Sequence, residues 1–203
     1  MAYSDFDLRR VTTDFALAEV LDLDLFAHVP PLEPSDELRR WLDQFSLLAL
    51  GFGSELARSV YLIGPVFAEV MRRATPPVLV FVGVTLDVDK ARGLTGVCDY
   101  LMTRSREVYY VRGPLFAVVE AKKEDIGAGL GQCAAAMVAV RLFNEKEGAS
   151  LPAVYGCVTN GGAWRFLKLE ADTLFIDKTE YHIQNVAAIL GILVSIAGSA
   201  PPV

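Results

Sequence analysis

Soft metal ligands are scarce in this 203-residue chain, which has three cysteines (Cys98, Cys133, Cys157) and two histidines (His28, His182). The cysteines lie 35 and 24 residues apart with no CxxC pair, which argues against a zinc ribbon. An odd, sparse count fits free thiols in a reducing, cytoplasmic setting. Two histidines are too few for a histidine-rich zinc site or a histidine-dependent nuclease, and each reads as a surface or capping residue. No GxxxxGKS/T segment is present, which excludes a P-loop ATPase, and the lack of GxSxG argues against a nucleophile-elbow hydrolase. Gly127-Ala128-Gly129-Leu130-Gly131 has the wrong spacing for a dinucleotide fingerprint, with no strand immediately before it. It reads as a helix start that approaches a sheet closely. Long hydrophobic runs are missing too. The N-terminal ten residues carry acids and no apolar stretch, so no signal peptide is expected. Val186 to Ala197 falls short of the roughly 20 apolar residues a membrane span requires. It reads as a buried C-terminal helix, broken at Gly198-Ser199 and Pro201-Pro202, and no membrane partner is expected.

A surplus of cations is also absent. Lys and Arg number 19 against 25 Asp and Glu, a net charge of −6, which excludes a bulk cationic nucleic-acid binder but not a local basic site. The acidity is confined: residues 1–45 hold four cations and ten carboxylates, and residues 46–203 hold fifteen of each sign. What the chain does have is apolar residues, 53% of it, with 22% charged, a globular composition. At this length one domain buries a substantial core without disulfides or a structural metal. Residues 1–45 read as an acidic extension packing on the core, and 46–203 as an α/β domain. Asp22, Asp24, Glu33, Asp36 and Glu37 of the extension are candidates for masking a site by mimicking phosphates.

Pro30-Pro31 and Pro34 punctuate the chain and cannot be helix interior. Ser35 or Asp36 then caps a helix carrying Leu38, Trp41, Leu42 and Phe45. A break at Gly51-Phe52-Gly53 precedes a second helix capped by Ser54, with Leu56, Val60, Ile63 and Phe67 on its apolar side. Pro65 predicts a kink or restart, and Arg72-Arg73 close the helix before Pro76-Pro77. Strands are expected at Val78–Thr85, Val97–Met102, Leu115–Ala121, Ala153–Thr159, Trp164–Leu169 and Leu174–Asp177. Asn160-Gly161-Gly162 is a turn. Helices are expected from Ile126 to Asn144 and from Tyr181 to Ile196. The order predicts an α/β fold with a mixed central sheet and helices on both faces.

Chemistry concentrates in the strands. Leu115-Phe116-Ala117-Val118-Val119 is apolar on both faces, so it reads as an interior strand, and it ends in Glu120-Ala121-Lys122. Alternation places Glu120 and Lys122 on one face, with Phe116 and Val118. Burying such a pair costs desolvation unless they pair or bind a metal. Asp99, in Gly96-Val97-Cys98-Asp99-Tyr100-Leu101, is a second carboxylate in an apolar strand. The 21 residues from Asp99 to Glu120 allow a hairpin to bring the two side by side. Two carboxylates and the Ala121 carbonyl form an all-oxygen partial shell suited to Mg²⁺ or Mn²⁺, with waters completing it. Lys122 is placed to orient or deprotonate a water or to stabilise phosphate charge. Gln132, ten residues on and followed by small residues on a helix, is within reach of the same site. Between Tyr100 and Lys123 five cations (Arg104, Arg106, Arg112, Lys122, Lys123) outnumber two acids, and with Tyr109 and Tyr110 they suggest a nucleic-acid backbone contact.

In this order, G-x-x-D, a strand ending E-A-K and a helix carrying Gln, the chain resembles the PD-(D/E)XK nuclease superfamily. The likeness is nearest to small bacterial members and to the N-terminal nuclease domains of type I restriction subunits. Glu55-Leu56-Ala57-Arg58-Ser59 resembles the family's first-helix segment, and Thr159-Asn160-Gly161-Gly162-Ala163-Trp164-Arg165-Phe166 its T-N-G-x-x-W-x-F turn. The closing Ile189-Leu190-Gly191-Ile192-Leu193 helix is also similar, so the likeness spans about residues 52–196. Cys98 stands where the family name has proline, and Ala136 where some relatives carry tyrosine. The resemblance implies a restriction-endonuclease-like sheet and Mg²⁺-dependent phosphodiester hydrolysis, with nucleic acid, DNA first, as partner. It implies Asp99 and Glu120 as metal ligands, Lys122 serving the hydrolytic water, Glu55 approaching from the first helix with Glu69 as substitute, and Gln132 in support. A homodimer and a catalytically silent binding or scaffold module on the same fold are the open alternatives.

Overall fold

A computed structural model of the chain describes residues 1–123 and 125–199, apart from the side chains of Phe52 and Ser199. The Pro201-Pro202 break lies outside the described residues. Eight strands form one mixed sheet in the order β1-β7-β6-β5-β4-β3-β2, with β8 pairing β6. They are β1 (Ala18–Val20), β2 (Leu79–Thr85), β3 (Val97–Thr103), β4 (Leu115–Ala121), β5 (Val154–Thr159), β6 (Ala163–Glu170), β7 (Thr173–Ile176) and β8 (Tyr181–His182). The helices are α1 (Leu8–Asp14), α2 (Asp36–Phe52), α3 (Glu55–Arg58), α4 (Gly64–Arg73), α5 (Ile126–Lys146) and α6 (Val186–Ser199). The fold is therefore a mixed α/β sheet covered on both sides. One face carries Val11 of α1 and Cys133, Met137 and Val140 of α5, and the other carries Leu38, Val66 and Phe67 with Ile189 and Leu193 of α6.

Local chemistry explains most of the boundaries. Ser35 caps α2 by accepting from the Leu38 N–H, and Ser54 caps α3 from Ala57. The restart expected at Pro65 takes the form of a π-helical turn over Ser59–Ile63, after which Pro65 sits in the first turn of α4. Its missing N–H is harmless there and would break a ladder further in. All seven β4 residues are buried, as the unbroken apolar run requires of an interior strand.

Three expectations need correction. Tyr181 and His182 are strand, paired with Trp164 and Ala163, and α6 begins only at Val186. The N-terminal segment contributes β1, parallel to β7 at the sheet edge, a strand too short to leave a periodic signal. Phe116 does not share a face with Glu120. A register shift between Met102 and Thr103 turns it to the α6 side with Val119 and Ala121, while Val118 faces α5. His28 and His182 are exposed, and the three cysteines are buried free thiols. Among the described residues α5 alone is long and apolar enough to cross a membrane, yet it lies mostly buried on the sheet. The shorter α6 buries Ile189, Leu190, Ile192, Leu193 and Ile196.

Candidate active site

The site forms where two neighbouring strands part. β3 pairs with β4 from Tyr100 opposite Val119 to Thr103 opposite Leu115, while its first residues, Val97 and Cys98, pair with Thr85 and Val84 of β2. The end of β4 instead follows β5, with Glu120 opposite Val158 and Ala121 opposite Thr159. One step past the last β3–β4 pair, Asp99 and Glu120 stand at the mouth of this fork. The Ala121 N–H, left without a ladder partner on β3, donates to Asp99 Oδ2 at 2.7 Å. The Lys122 N–H is held by the Thr159 carbonyl at 2.8 Å, so the chain stays in register with β5 for one more residue.

Lys122 Nζ donates to Glu120 Oε1 and to Gln132 Oε1, both at 2.8 Å. Asp99, Glu120, Ala121, Lys122 and Gln132 are thus brought together. Gln132 arrives because α5 begins tight against the sheet. A Cβ at Gly129 would lie 2.6 Å from Val158 Cγ1 and 3.1 Å from two Lys122 carbons, and one at Gly131 would strike the Asp7 backbone at 2.2 Å. Gly129 and Gly131 therefore serve close approach, and the N-terminal segment at Phe6-Asp7 packs against Gly131.

Glu55, exposed at the start of α3, is near enough for its charge to raise the pKa of Glu120. The same segment is tied to the site strand by Ser59 and Tyr100, whose hydroxyls bond each other while Tyr100 also donates to the Ser59 carbonyl at 3.2 Å. Arg58 donates to the Asn160 carbonyl at 3.0 Å and fixes α3 to the turn after β5. Sequence reading missed the Ser59–Tyr100 tie. Its only trace was an aromatic hydroxyl beside the half-buried aspartate.

The substitute, Glu69, does not reach the site. Buried on α4, it accepts from the Ser35 N–H (3.1 Å) and hydroxyl (2.9 Å) and from Arg72 and Arg73. Burial works against its charge, but these hydrogen bonds outweigh it and hold its pKa below the ordinary value. Glu69 therefore joins α2 to α4. Of the candidate phosphate mimics, Glu33 pairs with Arg39, Glu37 with Arg72, and Asp24 accepts from Thr179. The basic cluster is also divided. Arg104, Arg106, Arg112, Tyr109 and Tyr110 follow β3 at its far end, five strand residues or about 16 Å from Asp99.

The carboxylates are electrostatically strained. Burial, then the charge of Asp99, pushes Glu120 up from 4.5 to about 7, with Lys122 pulling the other way. Burial also raises Asp99, against the pull of the Ala121 N–H and of Lys122. Because the folded pKa of Glu120 exceeds its unfolded value, the folded chain holds a proton that the unfolded chain releases. That contribution is fully present below pH 4.5 and is lost as the pH rises through about 7. In EDTA, urea unfolding should show the wild type losing on the order of 3 kcal/mol between pH 4.5 and 8 from this group. Glu120→Gln should flatten that part of the curve, and equal slopes in both proteins would disprove the assignment.

The donor set suits a hard divalent cation. A buried and a half-buried carboxylate beside one ammonium leave negative charge for Mg²⁺ or Mn²⁺ to neutralise, and oxygen is the ligand such ions take. Among the described residues no three His, Cys, Asp or Glu side chains cluster closely enough to hold a metal by themselves. The protein would supply Asp99, Glu120 and the Ala121 carbonyl, and water the remainder, the habit of Mg²⁺. The chain matches no family model and no curated protein.

Proposed function

We propose that this chain is a nuclease of the PD-(D/E)XK type, with a restriction-endonuclease-like sheet, hydrolysing phosphodiester bonds in nucleic acid, DNA first. The observation that carries the reading is the meeting of Asp99, Glu120 and Lys122 at the fork between β3 and β4, with Gln132 on the lysine. Structural ion pairs are seldom built from a buried and a half-buried carboxylate on adjacent strands with one lysine, since a buried charge costs several kcal/mol (about 3–5 when left unpaired).

A bound Mg²⁺ or Mn²⁺ would supply Lewis-acid neutralisation of phosphate charge and a more acidic water. Asp99 and Glu120 would hold such an ion, and Lys122, beside them, would present its ammonium to the scissile phosphate or its nucleophilic water. Gln132 keeps the lysine on the α5 side of the fork by accepting from Nζ. Glu55, from α3, adds a carboxylate at the rim. The three free thiols support a reducing, cytoplasmic setting.

Supercoiled plasmid incubated with the full chain and Mg²⁺ or Mn²⁺ should be nicked, and Asp99→Asn should leave it supercoiled. Equal nicking by both proteins would sink the proposal. The net charge of −6 favours a second reading, a binding module without turnover, which predicts no calorimetric Mg²⁺ or Mn²⁺ binding by the intact fold and no nicking under either metal.

A further inference from the structure

The far end of the β3–β4 hairpin holds a separate constellation, unused by the proposed hydrolysis. An open cleft of about 720 Å³ lies there, lined by Arg104, Ser105, Arg106, Glu107 and Arg112, with Pro77 on its apolar side. Arg104 is only 5% exposed. Its guanidinium lies 6.0 Å from the centre of the Phe116 ring, which the register shift has turned to that side, and one nitrogen donates to the Ala197 carbonyl of α6. Among the described residues its Nε and Nη1 have no hydrogen-bond partner and no carboxylate reaches it. Among the described residues Glu107 is the one acid of the lining, and its carboxylate accepts the Tyr109 N–H at 3.0 Å. Arg106 and Arg112 are exposed at the mouth.

A buried guanidinium stays ionised, so its unmet donors and charge carry a desolvation cost that an anion in the cleft would relieve. Aliphatic and aromatic neighbours cannot provide one. Three arginines against a single occupied carboxylate, around a space large enough for a small molecule, make the local field positive despite the net charge of the chain. Guanidinium forks match the paired oxygens of a phosphate better than a spherical halide.

We propose that this cleft binds a phosphate group, with Arg104 as the buried anchor and Arg106 and Arg112 closing over it. The phosphate comes either from a free small molecule or from a nucleic-acid strand whose course passes the far end of the sheet. Titration calorimetry of the full chain with inorganic phosphate, in low-salt buffer without metal, should give saturable binding. The double variant Arg106→Gln/Arg112→Gln, altered only at exposed positions, should fold normally and bind about tenfold more weakly. Arg104→Gln should abolish binding if it folds, but the exposed pair decides the matter if it does not. Lys122→Ala should bind phosphate like the wild type, so failure of the nuclease reading would leave this site standing. Absence of saturable binding to the wild type, or equal affinity in the double variant, would overturn the proposal. A single-stranded oligonucleotide that displaces the phosphate supports the strand as the source, and one that does not supports the free molecule.

Discussion

Replacing Lys122 by alanine should lower plasmid nicking in Mn²⁺ by about 10²–10⁴-fold, the range over which a positioned proton-transfer group acts. The lysine is the one residue in the fork whose ammonium reaches both a carboxylate and the α5 amide. The arginines of the hairpin loop sit at its opposite end. The fold should survive the change. Glu120, already pushed up to about 7, takes a proton when its partner is lost, so no naked buried charge remains near neutral pH. Circular dichroism and an unchanged urea midpoint within about 1 kcal/mol would separate lost chemistry from lost structure. A Lys122→Ala protein that nicks at the wild-type rate would remove the lysine from the mechanism.

Trp164→Ala should cost about 3–5 kcal/mol of stability, the usual range for removing a fully buried aromatic. Trp164 has no exposed surface, its Nε1–H donates to the Gly161 carbonyl at 3.3 Å, and its ring lies 6.1 Å from that of Phe67. Phe67 in turn stacks on Tyr100 at 4.9 Å, next to Asp99. The cavity would therefore open between the turn after β5, helix α4 and the strand that carries the site. Chemical denaturation measures the loss directly, and a cost under about 1 kcal/mol would mean that the three elements are not held together through this residue. Trp164→Phe, which restores most of the volume but not the hydrogen bond, should recover more than half of it.

Much of this was legible in the chain. Leu115–Ala121 matched the observed β4 at both ends, because an apolar run on both faces has only an interior strand as its outlet. Ser35 and Ser54 announced their helices, since a side-chain acceptor at the cap satisfies a donor that nothing else reaches. Asp99, Glu120 and Lys122 stood out as polar residues in apolar strands, the nearness of the two carboxylates followed from the length of a hairpin, and that of Gln132 from the small residues of its helix. What sequence missed was long-range. The pairing of β1 with β7, and of Tyr181 with Trp164, depends on partners more than 15 residues away and leaves no local period. Choosing between Glu55 and Glu69 was equally beyond reach, for both are glutamates on helices with an arginine three residues later.

The order of apolar runs, caps and turn residues determined a mixed α/β chain and the strand that ends in Glu120 and Lys122, because burial periodicity and hydrogen-bond satisfaction are local demands. Tertiary structure alone decided that β3 leaves β4 at Asp99, that Glu69 is consumed by Ser35, Arg72 and Arg73, and that the arginines gather at the far end of the hairpin. Those outcomes rest on which strand each edge pairs with and which charge each carboxylate meets, and such contacts exist only once distant segments have been packed together.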